Sequence, residues 1–450
     1  MTARQAALQL LLRMQRDGSY ANLAVDALLR KESLSGPDAA LCAALVYGVA
    51  ERRRTLDYQL DGLLQKPLAR LAPEVLAALR LGLYQLLFLA RIPAHAAISE
   101  SVDLVKRNRC AYAAGLVNAV LRAAARQGLR LPARGADEIA YLGIRYACPD
   151  WLVQLWSDTY GPAEAEALLA ASLGSAPTVL RVNPLRCSAA RLSERLTAVG
   201  IPWIPAPDFL PDALVLPDGG AVPDLPGFAE GWFHVQDTAA QLCCLALDPQ
   251  PGETIFDLCA APGGKTFTLA QRMEDRGRIV ALDLHPQRVR LIETGTRRLG
   301  LHCVECASGD ATNFSDLAHR FGHADRVLCD VPCSGLGILR KKPDIREKIP
   351  VVIDKLPEMQ YLILCTGAAL LRPGGLLLYA TCTLRPAENE DVCRRFAETH
   401  PNFFPEEVLP GVPGFRRAGE PWLTLMPHRS QSDGFFLAAW RKLAEGGSEE

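Results

Sequence analysis

No apolar run in this 450-residue chain approaches the ~20 residues that a membrane-spanning helix needs. The opening, Met1-Thr-Ala-Arg-Gln, leads into an amphipathic helical pattern rather than a secretory signal. Net charge is nearly absent, with 49 Lys and Arg against 50 Asp and Glu. The 14 cysteines form no disulfide framework. Cys303 and Cys306 make one C-x-x-C, but no second pair or His cluster completes a zinc site. These absences predict reduced thiols, a cytoplasmic location, no metal and no membrane partner; a monomer is the expected state. Two nucleotide signatures are missing as well. G-x-G-x-x-G does not occur, and the Walker A pattern needs glycine where Cys259 stands.

What is present is an ordinary globular composition, 49% hydrophobic and 22% charged. The length predicts about three domains at roughly 150 residues each. The near-zero net charge hides an asymmetry. Residues 1–145 hold 20 Lys and Arg against 12 Asp and Glu, and the remainder holds 29 against 38. A basic front end on an acidic body points to an anionic partner.

Residues 1–145 read as all-α. Apolar residues recur at helical spacing over Ala6–Met14, Leu23–Leu29, Ala39–Val49, Leu56–Leu64, Val75–Leu89, Ile98–Val105 and Ala113–Ala125. Gly18, Ser35-Gly36-Pro37, Pro67, Pro73, Pro93, Gly128 and Pro132 punctuate them. Arg52-Arg53-Arg54 and Lys106-Arg107-Asn108-Arg109 are basic clusters able to meet phosphates. Residues 146–233 turn proline-rich and read as a small α/β subdomain, with strands at Thr178–Asn183 and Ala213–Leu216. Residues 234–442 alternate strands and helices, which predicts βαβ units and a largely parallel sheet. Phe233-His234-Val235 opens this large domain, and residues 443–450 read as a disordered tail.

The organising stretch is Thr254–Thr266, T-I-F-D-L-C-A-A-P-G-G-K-T. It reads as strand, glycine turn, helix start. Gly263 and Gly264 permit positive φ and close approach of a ligand to the backbone, and the helix start offers free N–H groups. A second strand ends on Asp283, placed to accept from ribose hydroxyls, and Asp310 follows a third, within reach of an adenine amino group. Together these fit a nucleoside without a polyphosphate, for which S-adenosyl-L-methionine is the commonest cofactor.

Two further strands each end near a cysteine: Cys333 follows Asp330-Val-Pro, and Cys382 follows Tyr379-Ala-Thr. Ligands of open α/β sheets sit beyond the carboxyl ends of the strands, so both thiols should face the nucleotide site. Two thiols suit methyl transfer to carbon 5 of cytosine, a poor nucleophile. A thiolate adding to carbon 6 makes carbon 5 enamine-like, and a second thiol can assist breakdown of the adduct. Asp330 could hydrogen-bond the ring nitrogen and amino group, and Lys265 could orient the base or stabilise developing charge.

The segments Ala261-Pro-Gly-Gly-Lys-Thr, Asp330-Val-Pro-Cys-Ser-Gly-Leu-Gly, Arg340-Lys-Lys-Pro-Asp-Ile-Arg, Tyr379-Ala-Thr-Cys-Thr and Glu388-Asn-Glu closely resemble the RNA cytosine-5 methyltransferases. Leu45–Arg53, Leu81–Leu89 and Gly115–Arg122 resemble the NusB-like RNA-binding fold. Over residues 1–442 the chain is similar to the RsmB/Fmu-type family acting on 16S ribosomal RNA. The resemblance implies an all-α NusB-like domain, a small α/β subdomain flanking the cleft and a Rossmann-like class I methyltransferase domain. It also implies Cys382 as nucleophile, Cys333 in product release, and a cofactor pocket of Cys259, Ala260, Ala261, Pro262, Gly263, Gly264, Lys265, Asp283, Asp310 and Asp330. Arg181 and Asn183 match residues of that family's cleft-flanking subdomain. A non-catalytic RNA-binding or assembly factor on the same fold is the rival reading, disfavoured by complete motifs with both thiols. An NTPase is disfavoured by Cys259.

Overall fold

The computed structural model describes residues 1–17, 34, 36–217 and 222–444. The apolar run Leu23–Leu29, the signals at Gly18 and Ser35, and the Glu445–Glu450 tail lie outside the described residues. The chain divides into two compact units. One is Met1–Gly174 with Leu339–Lys348, and the other is Ser175–Ile338 with Ile349–Glu450.

The first unit is helical, and among its described residues there is no strand. Its helices are Ala3–Asp17, Gly36–Asp61, Pro73–Phe88, Ala94–Arg107, Ala114–Gln127, Glu138–Arg145, Asp150–Tyr160 and Pro162–Ala171. The first five share one core that includes Leu8, Leu45, Leu56, Leu79, Leu104 and Leu121. Where the periodicity suggests two helices, Ala39–Val49 and Leu56–Leu64, there is a single one, Gly36–Asp61. Leu45, Val49, Leu56 and Leu60 are all buried along it. Their spacing keeps one face apolar through residues 50–55, so nothing breaks the helix there.

Arg52-Arg53-Arg54 sits in that continuous stretch, and each guanidinium has a contact within this unit. The Arg52 guanidinium lies 4.7 Å from the Phe88 ring centroid. Arg53 pairs with Glu347 at 3.2 Å and Arg54 with Asp150 at 2.5 Å. In the inserted segment, Arg346 is buried and donates to the Ser172 carbonyl at 2.7 Å. Of the later cluster, Lys106 pairs with Asp103 at 3.3 Å, while Arg107 and Arg109 are exposed.

The second unit holds two sheets. The smaller is antiparallel, ordered β2-β3-β1-β4, from β1 (Thr178–Val182), β2 (Ile204–Pro205), β3 (Ala213–Leu216) and β4 (Phe233–Val235). Phe233–Val235 therefore does not open the large sheet. It pairs with Leu180–Val182 of β1, and the chain enters the larger layer only with the helix Thr238–Leu247.

The larger sheet has eight strands. They are β5 (Thr254–Asp257), β6 (Arg278–Asp283), β7 (Val304–Ser308), β8 (Ala324–Asp330), β9 (Leu371–Thr381), β10 (Phe403–Glu406), β11 (Leu423–Leu425) and β12 (Phe435–Lys442). The order is β10-β12-β9-β8-β5-β6-β7, with β11 on β12. β5 through β9 pair parallel, and β12 runs antiparallel to β9. Strand direction of travel reverses between β5 and β8, which makes their carboxyl ends the topological switch point. Alternate side chains feed two cores. Ile255, Leu376, Leu378 and Ala380 enter one, while Phe256, Leu377 and Tyr379 enter the other. With both faces covered, the sheet is doubly wound, as expected.

Candidate active site

The loop after β5 is built tightly. The Ala261–Pro262 bond is cis, and Gly263 has φ +111°, a conformation that favours glycine. A Cβ on Gly263 would lie 2.3 Å from the Phe267 ring. The next residue starts the helix Gly264–Arg272. Nε2–H of His234 donates to the Gly264 carbonyl at 3.2 Å, and burial pushes this imidazole's pKa down to about 3, so it is neutral. Cys259 is partly exposed, Ala260, Ala261 and Gly263 are buried, and Pro262 is exposed.

Three acids border the loop. Asp257 is buried; Thr266 donates to its Oδ2 at 2.7 Å, while Oδ1 accepts no hydrogen bond. Asp283 is buried at the end of β6 and accepts from the His285 N–H at 3.0 Å. Arg288 pairs with it at 3.2 Å and donates to the Ala261 carbonyl at 3.0 Å, tying the strand-end acid to the glycine loop. Asp310 is exposed, and its Oδ1 accepts from Thr312 N and Oγ1 at 2.9 and 2.7 Å. The set fits a nucleoside: a carboxylate with lone pairs to spare at Asp283, an unpartnered oxygen at Asp257, and a helix start without side chains in the way.

Burial, then the nearby Asp330, raise the Asp257 carboxyl from 3.8 to about 7. A folded value above the unfolded one stabilises the fold below the unfolded value, and that contribution is lost as pH rises through the folded value. Asp257→Asn should therefore gain stability relative to the wild type as pH rises from 3.8 to about 7 in urea titrations. Parallel pH profiles would contradict this.

On the other side of the switch point, β8 and β9 end side by side, with Asp330 in register with Ala380. Lys265 Nζ lies 2.6 Å from Asp330 Oδ2 and 5.1 Å from the Phe435 ring centroid. Burial pushes the Lys265 pKa down, but Asp330 outweighs it and holds the ammonium charged. Cys333 Sγ and Cys382 Sγ are 3.3 Å apart. Cys333 is pushed well up, first by its hydrogen bond to Cys382 and then by burial, so it keeps its proton at neutral pH. Elsewhere burial is the first cause of the raised values, as at Cys243, Cys244, Cys259, Cys329 and Cys393. Those are core or wall thiols.

The two cysteine loops are held by Glu388 and Asn389, part of a matched motif but without an expected role. Glu388 Oε2 accepts from Ser334 N at 2.8 Å and from Gln360 Nε2 at 3.0 Å. Asn389 accepts from Thr381 Oγ1 at 2.6 Å and donates to the Thr383 carbonyl at 3.0 Å. Beneath them Gly337 N donates to the Cys382 carbonyl at 3.0 Å, and Gly434 N to the Gly337 carbonyl at 2.9 Å. A Cβ on Gly337 would lie 2.0 Å from the Gly434 oxygen and 2.9 Å from the Cys382 oxygen, both backbone atoms. Gly337→Ala should cost ~1–3 kcal/mol in urea unfolding, because neither neighbouring backbone segment can step aside cheaply. A wild-type midpoint would contradict this close crossing.

Known proteins match this chain along most of its length. A family model of the 16S rRNA methyltransferase RsmB/F covers residues 244–441. The NusB family covers residues 1–126, and the ferredoxin-like domain of RsmF/B-like methyltransferases covers 148–223. A "Probable ribosomal RNA small subunit methyltransferase B" from Synechocystis sp. is 40% identical over 98% of this chain and 100% of its own length. The chain belongs to the ribosomal RNA small subunit methyltransferase B family. The family's relative in Serratia proteamaculans is 34% identical over 92% of both chains. Among solved structures, that of PH0851 superposes with a TM-score of 0.82 at 24% identity, covering 98% of this chain and 99% of the other. A methyltransferase homologue from Pyrococcus horikoshii has a TM-score of 0.60 at 27% identity, covering 68% of this chain and 100% of its own.

For this methyltransferase the fold expected from sequence stands: a NusB domain at the front and a doubly wound methyltransferase domain behind. The structure brings Lys265, Asp330, Cys333 and Cys382 to the ends of adjacent strands. Asp283 and Asp310 follow β6 and β7. Among the described residues no group of His, Cys, Asp and Glu could hold a metal ion, and no helix is long and apolar enough to cross a membrane.

Proposed function

We propose that this family member methylates carbon 5 of a cytosine in 16S ribosomal RNA, using S-adenosyl-L-methionine and a covalent bond from Cys382 Sγ to carbon 6. The observation that carries the reading is the 3.3 Å approach of two sulfurs at the exits of adjacent strands. A structural core thiol needs no such neighbour.

Cys259–Lys265, Asp283 and Asp310 would hold the cofactor, Asp283 accepting from ribose hydroxyls and Asp310 reaching the adenine amino group. Bound there, S-adenosyl-L-methionine supplies an electrophilic methyl group on its sulfonium. The remaining work falls to side chains. With the two sulfurs 3.3 Å apart, one thiol can attack while the other assists, and the family resemblance assigns attack to Cys382 and release to Cys333. As the C6–S bond forms, electron density moves into the ring; Asp330 would hydrogen-bond the ring nitrogen and amino group, and Lys265, 2.6 Å from Asp330, would orient the base or stabilise the developing charge. After methylation the hydrogen on carbon 5 must leave. Its electron pair rebuilds the C5=C6 double bond, and the C6–S bond breaks to return Cys382 as a thiolate. Cys333 is the neighbouring group suited to assist. Its sulfur lies 3.3 Å from the sulfur that must leave.

The helical front, residues 1–145, would hold the RNA, and exposed Arg340 and Lys342 would reach its phosphates. The reading takes the protein as a cytoplasmic monomer that needs no metal. Bisulfite sequencing of 16S ribosomal RNA with and without the gene tests it. One cytosine should lose its protection when the gene is absent. An unchanged pattern, or a modified base other than cytosine, would contradict the substrate assignment.

A further inference from the structure

Glu388 and Asn389 are fully buried polar residues, and Glu388 Oε1 accepts no hydrogen bond. Its nearest cation in the structure, Arg385, stands 4.0 Å away. A buried carboxylate so weakly compensated is costly to keep. Its other oxygen shows a use. Oε2 receives the Ser334 N–H, one residue beyond Cys333, at 2.8 Å. Gln360 Nε2 reaches the same oxygen at 3.0 Å and also the Pro332 carbonyl, one residue before Cys333, at 2.9 Å. The Cys333 loop is therefore gripped on both sides. Asn389 does the same for Cys382, bonding Thr381 and Thr383 on either side of it at 2.6 and 3.0 Å. A third link joins the loops directly, Ser334 Oγ to Thr383 Oγ1 at 2.7 Å. The Tyr379 hydroxyl donates to the Glu388 carbonyl at 2.6 Å, which fixes the dipeptide to β9.

We propose that Glu388 and Asn389 form a clasp that sets the distance between Cys333 Sγ and Cys382 Sγ, acting as positioning residues for attack and for release. This rests on the covalent reading of the site. Neither residue touches the reacting atoms. Each holds the residues flanking one cysteine, and because they are consecutive in the chain, one rigid dipeptide registers both loops. The hydrogen-bonded carboxylate does what packing alone cannot, since it accepts from two elements at a fixed angle.

The test uses the full-length enzyme carrying Glu388→Gln or Thr381→Val; the second removes only the hydroxyl that donates to Asn389 and serves if the first does not fold. Three quantities are measured: kcat with KM for small-subunit RNA, S-adenosyl-L-methionine affinity by calorimetry, and the rate at which oxidised glutathione links Cys333 to Cys382, read by mass spectrometry. In that exchange one cysteine displaces glutathione to give a mixed disulfide, and the other displaces the second glutathione. The clasp predicts kcat lower by about tenfold or more, cofactor affinity within about twofold of wild type, and an altered linking rate. Wild-type kcat in both variants overturns it, as does a lower kcat with a wild-type linking rate. The linking rate does not depend on catalysis. If Cys382→Ala proved active, the covalent reading would fall while this readout still reported on the clasp.

Discussion

Cys382→Ala abolishes methyl transfer to small-subunit RNA, by at least about 10⁴-fold in kcat, while the fold and cofactor affinity survive. The magnitude follows from what the residue does. Removing a covalent nucleophile leaves only binding and orientation, and such losses run to several orders of magnitude. The fold survives because the Cys382 side chain is only partly buried and adjoins the core from its edge. Its backbone carbonyl still receives the Gly337 N–H. Tritium transfer from labelled cofactor, with a thermal melt beside it, checks both halves. Wild-type activity in a folded variant would reject the nucleophile assignment outright.

Cys333→Ala has the opposite signature. Attack and methylation still proceed, but breakdown slows, so enzyme and RNA accumulate as one covalent species. The reason is geometric: Cys333 Sγ is 3.3 Å from the sulfur that must leave. On a denaturing gel the variant should show a slow-migrating band that needs both RNA and cofactor, with turnover lower by about 10²-fold or more. The order of roles is also tested here. If Cys333 were the nucleophile, Cys333→Ala would form no adduct and Cys382→Ala would accumulate one.

Much of this site is legible in the amino-acid order because strand ends and glycine turns are local events. Ile255-Phe256-Asp257, Ile279–Asp283 and Leu376–Thr381 are short apolar runs that stop at a polar residue, and each proved to be a strand aimed at the site. The sheet then placed Cys333 and Cys382 together because their strands are parallel neighbours. What stayed hidden depends on distant partners. Phe233-His234-Val235 is three residues long, too short to show a period, and only its pairing with β1 assigns it to the small sheet. The partners of Arg53 and Arg54, Glu347 and Asp150, gave no sign because they lie far along the chain. Glu388 and Asn389 carried no sign of their bonds, because side-chain hydrogen bonds to loop backbone leave no periodic trace. The match of Glu388-Asn-Glu to the family motif marked the position without assigning it a role.

The most direct measurement places the covalent bond on an atom. Small-subunit RNA made with 5-fluorocytidine keeps a fluorine on carbon 5 that cannot leave as a proton does, so the adduct is trapped after methylation. Digestion and mass spectrometry of the trapped enzyme should find the nucleotide on the peptide containing Cys382, and nowhere in Cys382→Ala. A nucleotide on the Cys333 peptide, or full turnover of the fluorinated RNA with no adduct, would contradict the account.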